Sequence, residues 1–76
     1  MELTNFQHLE ESLEVAQNGD WVSNPYSGKR VWLEPMAVAV FDYVKGCELV
    51  GDAEGMRLGI DWFIEHYPKA YMVLLD

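Results

Sequence analysis

Few side chains in this sequence have the type and spacing that catalysis or metal binding requires. His8 and His66 are the only histidines, they lie far apart in the chain, and neither has carboxylates or a cysteine at a metal-ligand spacing. Cys47 is the only cysteine, and it falls on the apolar face of a predicted helix, where cysteine usually behaves as a small hydrophobic residue. The sequence therefore predicts no metal site and no enzymatic activity.

Two further patterns are weaker still. Ser27-Gly28-Lys29 contains the glycine–lysine pair of a phosphate-binding loop, but the rest of that motif is absent, and a strand follows where the motif needs a helix. Asp61 and Glu65 lie one helical turn apart, but neighbouring carboxylates are common on exposed helix faces. We expect neither a nucleotide nor any other cofactor to bind.

Large apolar side chains that lie off the predicted core are better suited to contact another molecule. Leu58 and Trp62 are four residues apart, on the side of a predicted helix away from its main apolar stripe. Tryptophan and tyrosine are enriched among the residues that dominate protein interfaces. We predict a protein-binding surface made of Leu58, Trp62, Asp61, Glu65, Trp32 and Tyr26. The alternative for Leu58 and Trp62 is an internal role, covered by the hairpin or by the C-terminal segment.

The charge of the chain narrows its possible partners. Thirteen acidic residues against five basic ones give a net charge of −8, which opposes binding to nucleic acid or to anionic membranes. A protein, particularly one with a basic surface, is the expected partner. A single cysteine and an acidic N-terminal segment without the pattern of a signal peptide are typical of a cytoplasmic protein.

The elements that would position these residues form one small α+β domain over residues 1–76. The first helix is predicted from Thr4 to Gln17, where Thr4 and Gln7 have the spacing of a capping box. Its apolar stripe consists of Phe6, Leu9, Leu13 and Ala16. A β-hairpin is predicted from Asp20 to Leu33, with a turn at Asn24–Gly28. We expect its packed face to contain Trp21, Val31 and Leu33, while Trp32 points the other way.

Three more elements follow the hairpin. Glu34–Val50 is the predicted central helix, apolar around most of its circumference and begun by Pro35. A third helix is predicted over Asp52–Tyr67 and is capped by Asp52. Its expected core face consists of Met56, Ile60, Phe63, Ile64 and Tyr67, with Gly59 beside them allowing a close neighbour. Pro68 favours a short helix over Lys69–Asp76, with a third strand as the alternative.

The stretches NPYSGKRVWLEP, FDYVKG and WFIEHYPKAYMVLLD resemble short uncharacterised proteins encoded by bacteriophages and some bacteria, over roughly residues 20–76. The resemblance brings no catalytic residues with it. It implies a small acidic phage protein that acts by binding a host protein in the host-cell cytoplasm.

We therefore predict a non-enzymatic, acidic protein-binding module, in the form of a phage-encoded modulator of a host protein. One alternative is a homo-oligomeric structural or accessory protein that uses the same apolar patch on itself. Another is a DNA mimic, whose carboxylates would be arrayed like phosphates in a nucleic-acid-binding site.

Overall fold

The computed structural model describes residues 5–76, which form four helices and one two-stranded antiparallel hairpin. The elements in chain order are α1 Asn5–Ser12, β1 Asp20–Ser23, β2 Arg30–Leu33, α2 Pro35–Val50, α3 Ala53–His66 and α4 Pro68–Leu74. Helices account for 62% of these described residues and strands for 11%. This architecture confirms the predicted α+β class and the predicted order of elements.

Helix α2 is the centre of the core, as predicted. Pro35 occupies its first turn after the extended residue Glu34, and Gly51 ends it in the left-handed conformation at φ 75°. Ala37, Val40 and Val44 are buried along one face. That face stops at Cys47, because Val50, although apolar, lies in the last turn and is exposed.

Helix α3 packs closely against α2 through two glycines. Asp52 caps α3 as predicted, because its Oδ1 accepts a 2.9 Å hydrogen bond from the Gly55 N–H. Gly55 and Gly59 are both buried, and a Cβ atom added to Gly59 would overlap the side chain of Val44. The predicted close approach at Gly59 is therefore confirmed, and Gly55 extends it by one turn.

The hairpin has a register that sets which side chains share a face. Asp20 pairs with Leu33, Trp21 with Trp32 and Val22 with Val31. Directly opposed residues of an antiparallel pair point to the same side. Leu33 is buried and Val31 half-buried, so Trp21 lies on the opposite, outer face together with Trp32. The prediction that Trp21 packs inward is wrong, whereas those for Val31, Leu33 and Trp32 are confirmed.

Helix α1 is shorter than predicted. It ends at Ser12, whose hydroxyl donates a 2.7 Å hydrogen bond to the Leu9 carbonyl, a local bond that competes with continuation of the helix. Ala16 is exposed beyond it, so the apolar stripe does not reach that far. Phe6, Leu9 and Leu13 do pack on the core. The predicted capping residue Thr4 lies outside the described residues.

The C-terminal segment is a helix, and the alternative of a third strand is wrong. Pro68 begins α4, and Ala70 and Leu74 are the buried residues of this helix. The hairpin is tied to this helix by the Asn24 side chain, whose Nδ2 donates a 2.9 Å hydrogen bond to the Val73 carbonyl. Among the helices of residues 5–76, none combines the length and apolar character that crossing a membrane requires.

Candidate protein-binding surface

Trp62 is not available as an exposed anchor, because the fold covers it. Only 2% of Trp62 is exposed, and its indole Nε1 donates a 3.2 Å hydrogen bond to the Glu10 carboxylate on α1. The His66 ring stacks on the indole with 4.6 Å between centroids. The prediction that Leu58 and Trp62 form an exposed pair is therefore wrong: Leu58 is half-buried against the core, and α1 lies over Trp62.

The other predicted surface residues are exposed but dispersed. Asp61 and Glu65 lie on the outer side of α3. Tyr26 is 97% exposed at the tip of the hairpin, where its N–H donates a 2.8 Å hydrogen bond to the Asn24 side chain. It borders a groove formed with the end of α4, whereas Trp32 borders a different groove. The six predicted residues thus do not form one surface.

The outer face of the hairpin brings together three large side chains, Trp21, Arg30 and Trp32, which we call the tryptophan face. The two indole rings meet edge to face, with centroids 5.7 Å apart and planes at 72°. Trp21 is 54% and Trp32 47% exposed. The Arg30 guanidinium carbon lies 5.0 Å from the centroid of the Trp21 ring, at cation–π distance.

Local contacts fix the orientation of these rings. Trp21 and Trp32 are cross-strand partners, and the Trp32 ring lies so close to Gly19 that a Cβ added there would be 3.0 Å from it. The Arg30 guanidinium lies over the Trp21 ring and restricts its movement. The tryptophan face is therefore a preformed surface, with part of each ring still open to solvent.

A shallow groove adjoins Trp32, between strand β2 and the junction of α3 and α4. We call it the Trp32 groove. Its lining is mostly apolar, with one lysine at its side, and consists of Val31, Trp32, His66, Tyr67, Pro68, Lys69 and Ala70. Sequence reasoning missed Trp21 and this groove. Antiparallel pairing of the two predicted strands, with Ser23 opposite Arg30 next to the turn, would have placed Trp21 opposite Trp32.

The basic side chains of this region form no ion pair with any other residue of 5–76. In residues 5–76 the one salt bridge joins Lys45 and Glu48 on α2, with 3.6 Å between nitrogen and oxygen. Lys29, Arg30 and Lys69 are exposed around the hairpin and the Trp32 groove. Three of the five basic residues thus lie on or beside the hairpin without a salt bridge to any residue of the described part of the chain.

A cluster of three polar side chains, Tyr43, Cys47 and Asp52, lies at the N-terminus of α3. The Cys47 thiol is buried, as predicted, and lies 3.9 Å from the Asp52 Oδ2. Burial raises the pKa of the Tyr43 hydroxyl above its usual 10.0, with further contributions from its hydrogen bond to Cys47 and from the Cys47 and Asp52 charges. All three side chains crowd around Gly55, so the cluster belongs to the close packing of α2 on α3.

The described part of the chain contains no group of three or more histidine, cysteine or acidic side chains placed to hold a metal ion. His8 is exposed on α1, and the Nδ1 of His66 is 2.9 Å from the Trp62 carbonyl oxygen within its own helix.

Comparisons of the chain with protein-family models, with curated proteins and with solved structures give no match.

Proposed function

We propose that this protein is a non-enzymatic protein-binding module whose contact surface is the tryptophan face. The proposal is supported above all by the exposed, edge-to-face pair of Trp21 and Trp32. Isolated apolar side chains are common on protein surfaces, but two adjacent tryptophans on one outer sheet face form a contiguous apolar patch. Such patches are typical of interaction sites.

The energetics of binding favour this surface. A tryptophan can bury about 150–250 Å² of its surface, so a pair of them supplies much of the apolar core of a small interface. Because neighbouring groups already hold both rings, a partner would order few additional rotamers on binding. A preformed aromatic pair with an arginine beside it has the composition of an interface hot spot.

The charge of the protein supports a protein partner over nucleic acid or membrane. A net charge of −8 repels phosphates and anionic headgroups at a distance. The resemblance to short phage and bacterial proteins is consistent with a host protein as the partner. The buried free thiol of Cys47 is compatible with an encounter in the cytoplasm, which we include in the proposal.

The proposal is tested by removing both indoles and measuring partner capture. We expect Trp21→Ser with Trp32→Ser to lose the protein that the wild type captures from an extract of its native cells. The matched control is Leu49→Ser with Val50→Ser, two residues that are 87% and 80% exposed at the far end of α2. The control should capture the same partner as the wild type.

A thermal melt of each variant separates loss of binding from loss of folding. We expect the double tryptophan variant to remain folded with a loss of roughly 1–3 kcal/mol, because it loses the edge-to-face contact and the buried half of each ring. Trp21→Ser alone provides a milder second variant, since Trp21 is the more exposed of the two. Undiminished capture by folded tryptophan variants would refute the proposal. Self-association in place of capture, detected by light scattering, would favour the homo-oligomer instead.

A further inference from the structure

We propose that the partner presents an acidic peptide segment, which lays an apolar side chain in the Trp32 groove and places carboxylates on Arg30 and Lys69. This inference rests on the proposed function and specifies the chemistry of the partner. It replaces the basic partner surface expected from the net charge of −8 with a locally acidic segment, because the exposed cations gather around the tryptophans. It follows from how the charged side chains are distributed around the exposed tryptophans.

The first argument is charge complementarity. Of the basic side chains in residues 5–76, Lys45 alone has an intramolecular salt bridge. Three of the remaining four, Lys29, Arg30 and Lys69, are exposed around the hairpin and the Trp32 groove. The nearby Asp20 carboxylate, which accepts a hydrogen bond from the Trp21 N–H, keeps its negative charge but is outnumbered by these three cations. This region is therefore the part of an acidic protein best suited to receive negative charge.

The second argument is the arrangement of the cations around apolar surface. Arg30 is held over the Trp21 ring, which limits its rotamers before any partner arrives. Lys69 lines the Trp32 groove beside Tyr67 and Pro68. A guanidinium held in this way can bind a carboxylate through two parallel hydrogen bonds. Cations flanking an apolar groove fit a segment in which acidic residues flank one apolar residue.

Single-stranded nucleic acid is the main competing ligand, because bases also stack on aromatic rings beside arginine. A nucleic acid strand however has a phosphate at every nucleotide, so the part of it that extends beyond the cations would be repelled by the carboxylates on the rest of the surface. A short peptide can confine its negative charge to the few residues that face Arg30 and Lys69. The observed distribution of charge therefore favours the peptide.

The first experiment selects binders from a random peptide library displayed on phage, with the wild-type protein as bait. Peptides that also bind the Trp21→Ser, Trp32→Ser variant are removed. We expect the remaining peptides to be enriched in aspartate and glutamate on either side of an apolar residue. Enrichment of basic or uncharged peptides, or of none, would overturn the inference.

The second experiment measures the affinity of one enriched, fluorescently labelled peptide by anisotropy. Neutralising both cations, Arg30→Gln with Lys69→Gln, should weaken binding roughly tenfold or more. The matched control, Lys45→Gln with Arg57→Gln, changes the net charge equally but lies on α2 and α3. It should leave the affinity within about twofold, since distant exposed charges are screened. Equal weakening in both variants would show a general charge effect and overturn the inference.

The outcomes also separate this inference from the proposed function. If the tryptophan variants lose the captured protein but no acidic peptides are enriched, the protein-binding module stands and the acidic partner is wrong. If the tryptophan variants keep the captured protein, both are wrong. Tighter binding of single-stranded oligothymidine than of the enriched peptide, abolished by the same tryptophan changes, would replace the peptide with nucleic acid.

Discussion

The interface between α2 and α3 and the outer face of the hairpin use side-chain size in opposite ways. The helices meet at Gly55 and Gly59, two positions without side chains, opposite Val44 and Tyr43. The hairpin directs two of the largest side chains, Trp21 and Trp32, toward solvent. The helix interface is therefore tight because glycines stand where larger side chains would not fit, whereas the outer face of the hairpin carries unusually large exposed side chains.

This contrast distinguishes residues whose size is set by packing inside the protein from residues whose size provides surface for another molecule. At the helix interface, close packing leaves little room for any change of volume. On the tryptophan face, the exposed rings add little to the packed core, and their size contributes mainly area that another molecule can cover. The stability of this protein should therefore depend on its small buried residues more than on its exposed tryptophans.

The largest expected effect comes from a charge in the helical core. Val40 on α2 is fully buried, so Val40→Asp would bury a carboxylate without a partner. We expect a loss of about 5 kcal/mol, comparable with the whole stability of a small domain, and hence no cooperative thermal transition. Trp21→Asp, the same charge on the exposed face, should still unfold cooperatively. A near-normal melt of Val40→Asp would contradict the assignment of α2 as the core helix.

An intermediate effect is expected where α2 and α3 meet. Gly59→Ala would push a methyl group into Val44, and we expect it to destabilise the protein by about 1–3 kcal/mol in chemical denaturation. Gly46→Ala is the matched control, because Gly46 lies in α2 with open space around it. It should stabilise the protein by roughly 0.5–1 kcal/mol through helix propensity.

Opposite signs for these two changes would confirm that packing, and not propensity, decides the outcome at Gly59. Stabilisation by both would mean that α2 and α3 can move apart without loss of stability. The α2–α3 interface would then not be tightly packed, and the contrast with the tryptophan face would not hold.

The smallest effect concerns the polar end of the same helix interface. The folded protein binds the Tyr43 phenol proton more tightly than the unfolded chain does, because its pKa is raised. The unfolded chain therefore loses this proton first, and stability should fall as the pH rises above about 10. Tyr43→Phe should make the melting temperature less dependent on pH in this range. Tyr26→Phe, a change at an exposed tyrosine, should behave like the wild type.

Much of the fold could be predicted from local sequence signals. Pro35 and Pro68 begin helices, Asp52 caps one, and the Asn24–Gly28 turn joins two strands, as their local chemistry indicates. These signals act within a few residues, so they are visible without knowledge of the tertiary structure. The end of α1 is an exception, because the Ser12 hydroxyl binds the helix backbone and the apolar pattern continues past it.

The position of Trp62 could not be predicted in the same way. A hydrophobic pattern locates the face of a helix from its side chains, but the buried face of α3 is centred on Gly55 and Gly59. Leu58 and Trp62 flank these glycines on one side and Met56 and Ile60 on the other. The same shift of the buried face leaves Ile64 45% exposed, so its assignment to the core is wrong.

The candidate site was only partly visible for a related reason. Trp32 was predicted to point outward, and it does. Its partner Trp21 depends on strand register, and the Trp32 groove depends on how α4 returns beside β2. The register could have been obtained by pairing the two predicted strands outward from their turn. The packing of α4 beside β2 is a contact between distant parts of the chain, which neither local periodicity nor composition reports.

The placement of the three indoles gives the protein two separate optical reporters. Trp62 is shielded from water beneath α1, so its fluorescence should lie at shorter wavelength and resist quenching by acrylamide. Trp21 and Trp32 are accessible to the quencher, and their edge-to-face geometry couples their electronic transitions into a signal in circular dichroism. A ligand on the hairpin would perturb the second signal, whereas detachment of α1 would perturb the first.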